Sequence, residues 1–486
     1  MMTTRTIPTI HELCAVVPPP LHPGVEGDEA IAVPAISHDS RSVEAGGMYA
    51  CLRGARHDGH SFAPDAVAAG AASLLVDHHL RVADVGDATQ LIVEDTRLAL
   101  GPIAAAVHGD PSTAMRVVGI TGTNGKTTTS MLIGAILRAA GDPTSVLGTL
   151  SGPYTTPEAP ELQARLAELR DHGQRSVVME VSSHALALHR VDGTRFDAAV
   201  FTNLGRDHLD LHGTVEEYFR AKALLFQPGR AVVGVVNADD AHGRQLLDAA
   251  PIEMVPFSVD DATAVEVTAA SVAFTWRGER INVPLGGAFN VINAVGAATT
   301  AEAIGIGIEA IVAGLNSVGA VPGRFERVTA GDGTELAIDV IVDFAHTPDG
   351  LEEVIAAAGA LVDDRGRVIV VFGAGGDRDR QKRPEMGATA ARLADLVVVT
   401  SDNPRSENPA DIIDDIVAGI SDDDRSRVEI EADRAAAIKL AITLAEPGDI
   451  VIVAGKGHET TQTVGDDVIP FDDREVARLV LAEVGR

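Results

Sequence analysis

The amino-acid sequence predicts an α/β protein of three domains built mainly on parallel sheets. Its 486 residues are enough for about three domains of roughly 150 residues each. Short β-branched runs alternate with Ala-rich helical stretches, which is typical of parallel sheets covered by helices. Breaks rich in Gly and Pro at 109–113 and 319–324 interrupt this alternation. We therefore expect domains at 1–113, 114–321 and 322–486.

Two sets of apolar runs predict the buried strands of the second and third domains. The first set comprises 115–120, 176–181, 198–203 and 231–237, and the second comprises 367–373, 396–400 and 450–455. Apolar residues with helical spacing follow the first run at 127–140, and the Pro- and Gly-rich stretch 18–27 is interpreted as a surface loop. We expect the C-terminal domain, which contains the second set, to be Rossmann-like.

Composition limits the classes of partner. Hydrophobic residues make up 45% and aromatic residues only 3%, so the cores must be built from Ala, Val, Leu and Ile. A formal net charge of −31 argues against nonspecific nucleic-acid binding and against adhesion to an anionic membrane surface. No apolar run approaches the ~20 residues of a membrane helix, and the start lacks a secretory signal. The only two cysteines, Cys14 and Cys51, suggest neither a disulfide framework nor a zinc site. We expect a cytoplasmic protein that binds no nucleic acid and does not insert into a membrane, and we expect it to be a monomer.

Lysine is rare in this sequence, which uses Arg for most of its positive charge. Of the five lysines, Lys439 lies in an ordinary helical run. The other four are Lys126, Lys222, Lys382 and Lys456. Where an Arg-rich chain keeps Lys, a compact ammonium or a neutral amine is indicated, so these four are candidate functional residues.

A phosphate-binding loop is predicted by G-I-T-G-T-N-G-K-T at 119–127. The usual form is G-x-x-x-x-G-K-[ST], but Ile120 stands where its first Gly is expected. A strand before the loop and a helix after it are the context that binds phosphate at a helix N-terminus. This predicts a P-loop-type central domain that binds ATP. Lys126 would reach the β- and γ-phosphates, and the Thr127 hydroxyl would coordinate Mg²⁺.

Two further side chains follow predicted strands beside this loop. Glu180 lies at the end of the run V-V-M-E, and His208 follows the next run in T-N-L-G-R-D-H-L-D. Because the carboxyl ends of parallel strands meet at one edge of a sheet, both residues are expected in a crevice shared with the loop. Carboxylate oxygens suit Mg²⁺. Either residue alone is also compatible with a structural role.

Ten motifs together resemble the Mur ligases. They are G-T-N-G-K-T-T (122–128), E-V-S-S-H-A-L (180–186), T-N-L-G-R-D-H-L-D-L-H-G (202–213), Y-F-R-A-K (218–222), G-G-A-F-N-V-I-N-A (286–294), P-G-R-F-E (322–326), D-F-A-H-T-P-D (343–349), G-G-D-R-D-R-Q-K-R-P (375–384), S-D-N-P-R (401–405) and G-K-G-H-E (455–459). The resemblance spans nearly the whole chain. It implies an ATP-dependent acid–amino-acid ligase of peptidoglycan precursor synthesis. The expected reaction adds meso-diaminopimelate to the D-Glu side-chain carboxyl of UDP-N-acetylmuramoyl-L-Ala-D-Glu, through an acyl phosphate.

The resemblance also implies a role for each motif. Lys222 would be carbamoylated by CO₂, which needs a neutral amine that Arg cannot supply. With His208 and Glu180, the carbamate would hold a second Mg²⁺. The implied catalytic residues are Lys126, Lys222 and His208. The implied nucleotide contacts are Gly122, Thr123, Asn124, Gly125, Lys126, Thr127, Thr128, Asn293, Arg324, Asp343 and His346.

Two groups of substrate contacts follow from the same resemblance. The implied contacts to the uridine nucleotide and the muramoyl dipeptide are Ser40, Ala55, Arg56, His57, Thr155, Thr156, Ser182 and Arg190. The implied contacts to the diamino acid are Arg378, Asp402, Asn403, Pro404, Arg405, Gly455 and Glu459. A guanidinium can grip the extra carboxylate of diaminopimelate with two parallel hydrogen bonds, and Glu459 can pair with its distal ammonium.

Two positions depart from the family pattern, and three other functions stay open. Leu188 replaces a Gln and Tyr154 replaces an Asn, so two dipeptide contacts are lost or moved. One alternative is the same reaction with L-lysine as the acceptor, because some lysine-adding relatives share D-N-P-R. Another is a P-loop ATPase or switch, which would require the first loop glycine at its usual position and a Walker-B Asp. A third is a sister ligase, against which D-N-P-R and S-S-H argue.

Overall fold

The structure of the protein, a computed structural model, describes residues 6–54, 57–207, 209–330, 337–363 and 365–484, with the side chains of 209 and 210 left out. The described residues form three large sheets in chain order, one for each predicted domain. The predicted three-domain α/β class is confirmed. The boundaries near 113 and 321 stay a prediction.

The first domain contains a five-stranded sheet. Its strands are β1 (Gly24–Glu26), β2 (Ile36–Ser37), β3 (Met48–Ala50), β4 (Ser73–Val76) and β5 (Thr89–Ile92), and its helices are α1 (Ile10–Cys14), α2 (Ala63–Ala68), α3 (Val82–Val85) and α4 (Thr96–Val107). The order is β1-β5-β4-β3-β2, and only β1 is antiparallel to its neighbour. The prediction of a loop over 18–27 is therefore wrong at its end, where β1 adds an edge strand.

The central domain has a six-stranded sheet whose strands are all parallel. The strands are β6 (Arg116–Thr121), β7 (Thr144–Leu147), β8 (Ser176–Glu180), β9 (Phe196–Phe201), β10 (Ala231–Asn237) and β11 (Glu253–Phe257), in the order β11-β10-β9-β6-β8-β7. The helices are α5 (Lys126–Ala139), α6 (Ala159–Asp171), α7 (Ser183–Ala187), α8 (Leu209–His212), α9 (Val215–Ala223), α10 (Ala241–Ala249), α11 (Phe289–Ala303) and α12 (Ile308–Ser317). A small antiparallel sheet of β12 (Thr263–Val267), β13 (Val272–Trp276) and β14 (Glu279–Val283) lies between α10 and α11 in the chain.

The C-terminal domain repeats the parallel design. Its main sheet has the order β15-β16-β20-β17-β18-β19, in which only β15 is antiparallel. The strands are β15 (Glu326–Val328), β16 (Asp339–Asp343), β17 (Val368–Phe372), β18 (Leu396–Val399), β19 (Val428–Ile430) and β20 (Ile450–Ala454), followed by the hairpin of β21 (Thr461–Val464) and β22 (Asp467–Pro470). The helices are α13 (Pro348–Gly359), α14 (Lys382–Leu393), α15 (Pro409–Val417), α16 (Arg434–Leu444) and α17 (Asp473–Val484).

Aliphatic residues fill both faces of the two larger parallel sheets. In the central sheet, one face packs on α5, α11 and α12, and the other packs mainly on α6 and α7. In the C-terminal sheet, α13 to α15 cover one face, and α16 and α17 cover the other. Strands buried on both faces read as continuous apolar runs, which is why they are recognised in the sequence.

The described residues contain no helix that is both long and apolar enough to cross a membrane.

Candidate functional site

One cavity of about 630 Å³ lies between the central and C-terminal domains. Residues at the carboxyl ends of β6, β8 and β9 line one side, and residues after β16, β17, β18 and β20 line the other. Parallel α/β sheets bind ligands at this edge. The predicted site residues that line it are Gly122, Thr123, Asn124, Gly125, Lys126, Thr127, Thr128, Thr155, Glu180, Ser182, Lys222, Asn293, Arg324, Asp343, His346, Arg378, Asp402, Asn403, Arg405, Gly455 and Glu459.

The glycine loop passes directly from β6 into α5. Gly122 has φ +151°, and a Cβ there would lie 1.9 Å from Thr202 Oγ1, so only Gly fits. Gly125 caps α5 in the left-handed region, with φ +80°. The glycine that the usual loop has earlier is replaced by Ile120, which is buried in β6. The displaced glycine therefore still leaves the helix N-terminus open to an anion.

Lys126 and Arg324 supply the positive charge beside this loop. The Lys126 ammonium donates to the carbonyl oxygens of Gly122 (2.9 Å) and Thr123 (2.7 Å). Burial lowers the pKa of Lys126, although Glu180 opposes the shift. Arg324 comes from the segment between α12 and β15. Its Nη2 donates to Thr127 Oγ1 at 3.2 Å, and its guanidinium stacks 4.3 Å from the centre of the Phe344 ring.

Glu180 is a buried carboxylate held entirely by neutral donors. Thr127 Oγ1 donates to its Oε1 at 3.0 Å, the Thr149 amide donates to the same oxygen at 2.9 Å, and Thr149 Oγ1 donates to Oε2 at 3.1 Å. The residue is only 1% exposed. A carboxylate and a hydroxyl side by side offer the hard oxygen ligands that Mg²⁺ takes.

Lys222, on α9, is buried beside a second lysine. Its Nζ donates to Gly122 O at 2.9 Å, the carbonyl that also accepts from Lys126, and lies 4.3 Å from the centre of the Tyr218 ring. Burial and the neighbouring Lys126 lower the pKa of Lys222 well below its ordinary value. Both effects favour the uncharged amine more than at an exposed lysine.

The loop after β16 forms the opposite wall of the cavity. Asp343 accepts from the amides of Phe325 and Ala345, both at 2.7 Å, and burial raises the pKa of its carboxyl. His346 Nδ1 lies 2.9 Å from Phe344 O, and Lys382 donates to His346 O at 2.8 Å. Burial lowers the pKa of His346. This wall therefore presents a carboxyl group, an imidazole, a lysine and the Phe344 ring to the cavity.

Three loops after β17, β18 and β20 form a second polar cluster. Asn403 donates to Glu459 Oε2 at 2.8 Å, and Arg405 donates to Gly376 O at 2.6 Å. Gly455 has φ +115°, and a Cβ there would lie 2.5 Å from Asp402 Oδ2. Pro404 belongs to the same loop but does not line the cavity. The cluster offers a guanidinium and a carboxylate, which suit an amino acid with several charges.

Four other predicted residues lie away from this cavity. Ser40, in a short 3₁₀ turn, and His57 belong to the first domain. Thr156 is buried, donates to Glu180 O and accepts from the Ser182 amide, so it supports the end of β8. Arg190 lies against Glu158 and donates to Thr156 O at 3.2 Å. Three further predicted residues, Ala55, Arg56 and His208, lie outside the described residues.

Several cavity residues had not been assigned a role from the sequence. Glu353 on α13 accepts from the side-chain Nδ2 of Asn124 at 3.5 Å, and burial raises the pKa of its carboxyl to about 7. Lys382 lines the cavity, as the scarcity of lysine indicated. Tyr218 touches the loop through Thr123 Oγ1 at 3.1 Å. Nothing in the local sequence distinguishes Glu353 from a surface helix residue, because its burial depends on contact between domains.

Three family profiles match in chain order. Residues 33–108 match the description "Mur ligase family, catalytic domain", residues 120–301 match "Mur ligase middle domain", and residues 323–457 match "Mur ligase, glutamate ligase domain". Together they cover most of the chain.

Relatives and solved structures agree with these matches. A Synechococcus elongatus protein named UDP-N-acetylmuramoyl-L-alanyl-D-glutamate--2,6-diaminopimelate ligase is 45% identical, with 93% of this chain and 95% of the relative covered. A solved structure of a ligase with the same name is 31% identical, covers 99% of this chain and 100% of its own, and has a TM-score of 0.67. The MurF ligase of Thermotoga maritima in complex with ADP shares the fold at 18% identity, with 92% and 96% covered and a TM-score of 0.62.

Proposed function

The chain belongs to the Mur ligase family, and we propose on that basis that it joins meso-diaminopimelate to the D-Glu side-chain carboxyl of UDP-N-acetylmuramoyl-L-Ala-D-Glu. ATP is cleaved to ADP and phosphate in the reaction, which serves peptidoglycan precursor synthesis. One observation carries the proposal: a single cavity is lined by the glycine loop, by Lys222 and Glu180, and by the Asn403–Glu459 cluster. A phosphate donor and a charged amine can therefore meet across one space.

The chemistry follows from the weakness of a carboxylate as an electrophile. Transfer of the γ-phosphate to the D-Glu carboxylate gives an acyl phosphate, which has a good leaving group. The amine then attacks the acyl carbon, and phosphate leaves from the tetrahedral intermediate. The two anions of the first step repel each other. Lys126 and Arg324, both beside the loop, offset that repulsion.

The residues around Thr127 fit a magnesium ion. Its hydroxyl and the Glu180 carboxylate lie 3.0 Å apart in a buried setting, and both offer oxygen ligands. When bound, Mg²⁺ would neutralise charge on the phosphate oxygens. Thr149 keeps both Glu180 oxygens in place through two hydrogen bonds. His208 remains a proposed ligand outside the described residues.

Carbamoylation of Lys222 is supported by its surroundings. The reaction with CO₂ needs an uncharged amine, and burial beside Lys126 lowers the pKa of Lys222. The product is a carboxylate-like group that loses a proton to solvent. The negatively charged carbamate would be attracted to the Lys126 ammonium, whereas a protonated Lys222 would be repelled by it. We propose that it serves with Glu180 and His208 as a ligand of a second Mg²⁺.

The remaining contacts are proposed by motif and supported by position. The nucleotide would lie along the loop 122–128, between Asn293 on the central side and Arg324, Asp343 and His346 on the other. Thr155 and Ser182 line the cavity where the dipeptide would enter. Ser40, Ala55, Arg56 and His57 stay predictions for the uridine nucleotide, as do Thr156 and Arg190 for the dipeptide. Monomeric state and cytoplasmic location also stay predictions.

We propose meso-diaminopimelate as the acceptor because of its charge. Meso-diaminopimelate carries one carboxylate more than lysine, and two guanidinium groups, Arg378 and Arg405, line this side of the cavity. Asp402, Asn403, Gly455 and Glu459 complete the proposed contacts, and Pro404 shapes the loop between them. The lysine-adding reaction would leave a guanidinium without its carboxylate.

An acceptor panel tests the proposed function. Phosphate release from ATP is measured with the uridine-linked dipeptide and, in turn, meso-diaminopimelate, L-lysine, D-alanyl-D-alanine, glutamate and no amine. We expect release only with diaminopimelate. Release without any amine would favour an ATPase or switch. Release with lysine but not diaminopimelate would overturn the acceptor assignment and leave the ligase assignment intact.

A further inference from the structure

One buried lysine has no role in the proposed reaction. Lys439 is exposed and pairs with Glu483, whereas Lys126, Lys222 and Lys382 line the cavity. Lys456, in the loop between β20 and β21, is fully buried and does not line the cavity. A buried charge that water cannot solvate must be stabilised by charged or polar groups of the protein. The groups that contact Lys456 therefore indicate its role.

The three N–H groups of the Lys456 ammonium donate to three oxygen atoms. It donates to Thr461 O at 2.7 Å, to Glu459 Oε2 at 2.9 Å and to Asn403 Oδ1 at 3.2 Å. The Thr463 amide donates to the same oxygen of Asn403 at 3.0 Å. Because Asn403 Oδ1 accepts from both Lys456 and Thr463, the orientation of the side-chain amide is fixed. Its Nδ2 therefore points towards Glu459 and donates to Glu459 Oε2 at 2.8 Å.

Among the residues of this domain that the structure describes, two other fully buried cations, Arg383 and Arg434, differ from Lys456. Arg383 is neutralised by Glu407 and Asp415, and Arg434 is neutralised by Asp473. None of those three carboxylates lines the cavity. The carboxylate that neutralises Lys456 is Glu459, which lines the cavity and is about a third exposed at its side chain. Of these three buried cations, Lys456 is the one whose counter-ion is itself a proposed substrate contact.

We propose that Lys456 is a positioning residue that selects the diamino acid by fixing Glu459. This inference rests on the proposed function. Lys456 and Asn403 both occupy Oε2, so Oε1 is the oxygen left to accept from the substrate's distal ammonium. The Lys456 charge also offsets that of Glu459. Diaminopimelate has a carboxylate next to its distal ammonium, and Glu459 does not repel that carboxylate when Lys456 neutralises it. Lysine has no such carboxylate, so neutralising Glu459 does not favour its binding.

Steady-state kinetics of Lys456→Met test the proposal. We expect the KM for diaminopimelate to rise about tenfold or more, because a charge-assisted hydrogen bond is lost. The KM for ATP should stay within about twofold, and the preference for diaminopimelate over L-lysine should fall. Lys439→Met is the matched control for losing a lysine elsewhere in this domain and should change none of these. A uniform effect on all substrates would overturn the proposal.

A double-mutant cycle with Glu459→Gln separates positioning from a general structural role. If Lys456 acts through Glu459, Lys456→Met should change the KM for diaminopimelate by less than about threefold in the Glu459→Gln background. An equal effect in both backgrounds would overturn the proposal.

Folding and the proposed function are checked separately. Should Lys456→Met fail to fold, Lys456→Gln carries the same comparison, because its amide can still donate. If neither variant folds, Lys456 serves stability and the proposal fails. A wild-type chain that ligates no diamino acid overturns the proposed function. A wild-type chain that ligates diaminopimelate, with an unchanged KM in Lys456→Met, overturns only the present inference.

Discussion

Replacing Lys222 by Met should separate catalysis from stability. Gly122 O accepts from both Lys222 and Lys126, each at 2.9 Å, so removal of Lys222 leaves that carbonyl paired. In the unmodified chain, the substitution also removes a buried amine whose positive charge burial and Lys126 disfavour. The free energy of unfolding should therefore change by less than about 1.5 kcal/mol in either direction. The corresponding change in Tm is under about 6 °C.

Ligation should nevertheless fall about a hundredfold or more, because a proposed metal ligand is lost. Lys222→Ala should behave likewise, and Lys222→Glu should restore part of the activity by supplying a permanent carboxylate. Tm is measured by circular dichroism and ligation by ADP release, with Lys439→Met as control. The wild-type chain grown or exchanged with ¹³C-labelled bicarbonate should show a carbamate carbon signal that all three variants lack.

Two results would refute this reasoning. If Lys222→Met lost activity only in proportion to a large loss of stability, Lys222 would be a structural residue. If the Glu and Ala variants were equally inactive, the carbamate role would lose its support.

Three further predictions follow from individual contacts. Arg405→Lys should raise the KM for diaminopimelate far more than the KM for ATP, because Lys cannot form two parallel hydrogen bonds; equal effects in steady-state kinetics would indicate a structural role. Gly122→Ala should abolish ATP binding measured by calorimetry, since its Cβ would lie 1.9 Å from Thr202 Oγ1, and normal binding would disprove the loop geometry. Burial raises the pKa of Glu353 to about 7 from an ordinary 4.5, so the folded chain keeps a proton that the unfolded chain has released. Stability should therefore fall as pH rises from about 4.5 to 7, by at most about 3 kcal/mol relative to Glu353→Gln; parallel urea-unfolding curves for the two proteins across that range would contradict it.

The sequence predicts the parallel strands well because burial on both faces leaves an unbroken apolar run. The predicted run 231–237 coincides with β10, and the runs at 176–181 and 450–455 each differ from their strand by one residue at the end. Strands of the first domain are two to four residues long, too short to show a period. The edge strand β1, within the predicted loop, is invisible for the same reason.

The candidate site divides in the same way. The glycine loop, Glu180 and Lys222 are readable because each carries its chemistry in a short segment. The roles of Glu353 and Lys456 cannot be predicted from the sequence, because their contacts join segments that are far apart in the chain. Asn124 contacts Glu353, and Asn403 contacts Lys456. Lysine scarcity marks Lys456 as unusual but cannot indicate its partner. Long-range contacts of this kind are set by the packing of domains and loops.

In the proposed reaction, this cavity brings an activated D-Glu carboxyl to the amine of diaminopimelate. The most direct measurement is mass spectrometry of the product after incubation with ATP, Mg²⁺, the uridine-linked dipeptide and meso-diaminopimelate. We predict one new species heavier than the dipeptide substrate by diaminopimelate less one water, with one ADP formed for each. ADP formed without that species, or the species formed without ATP, would contradict the claim.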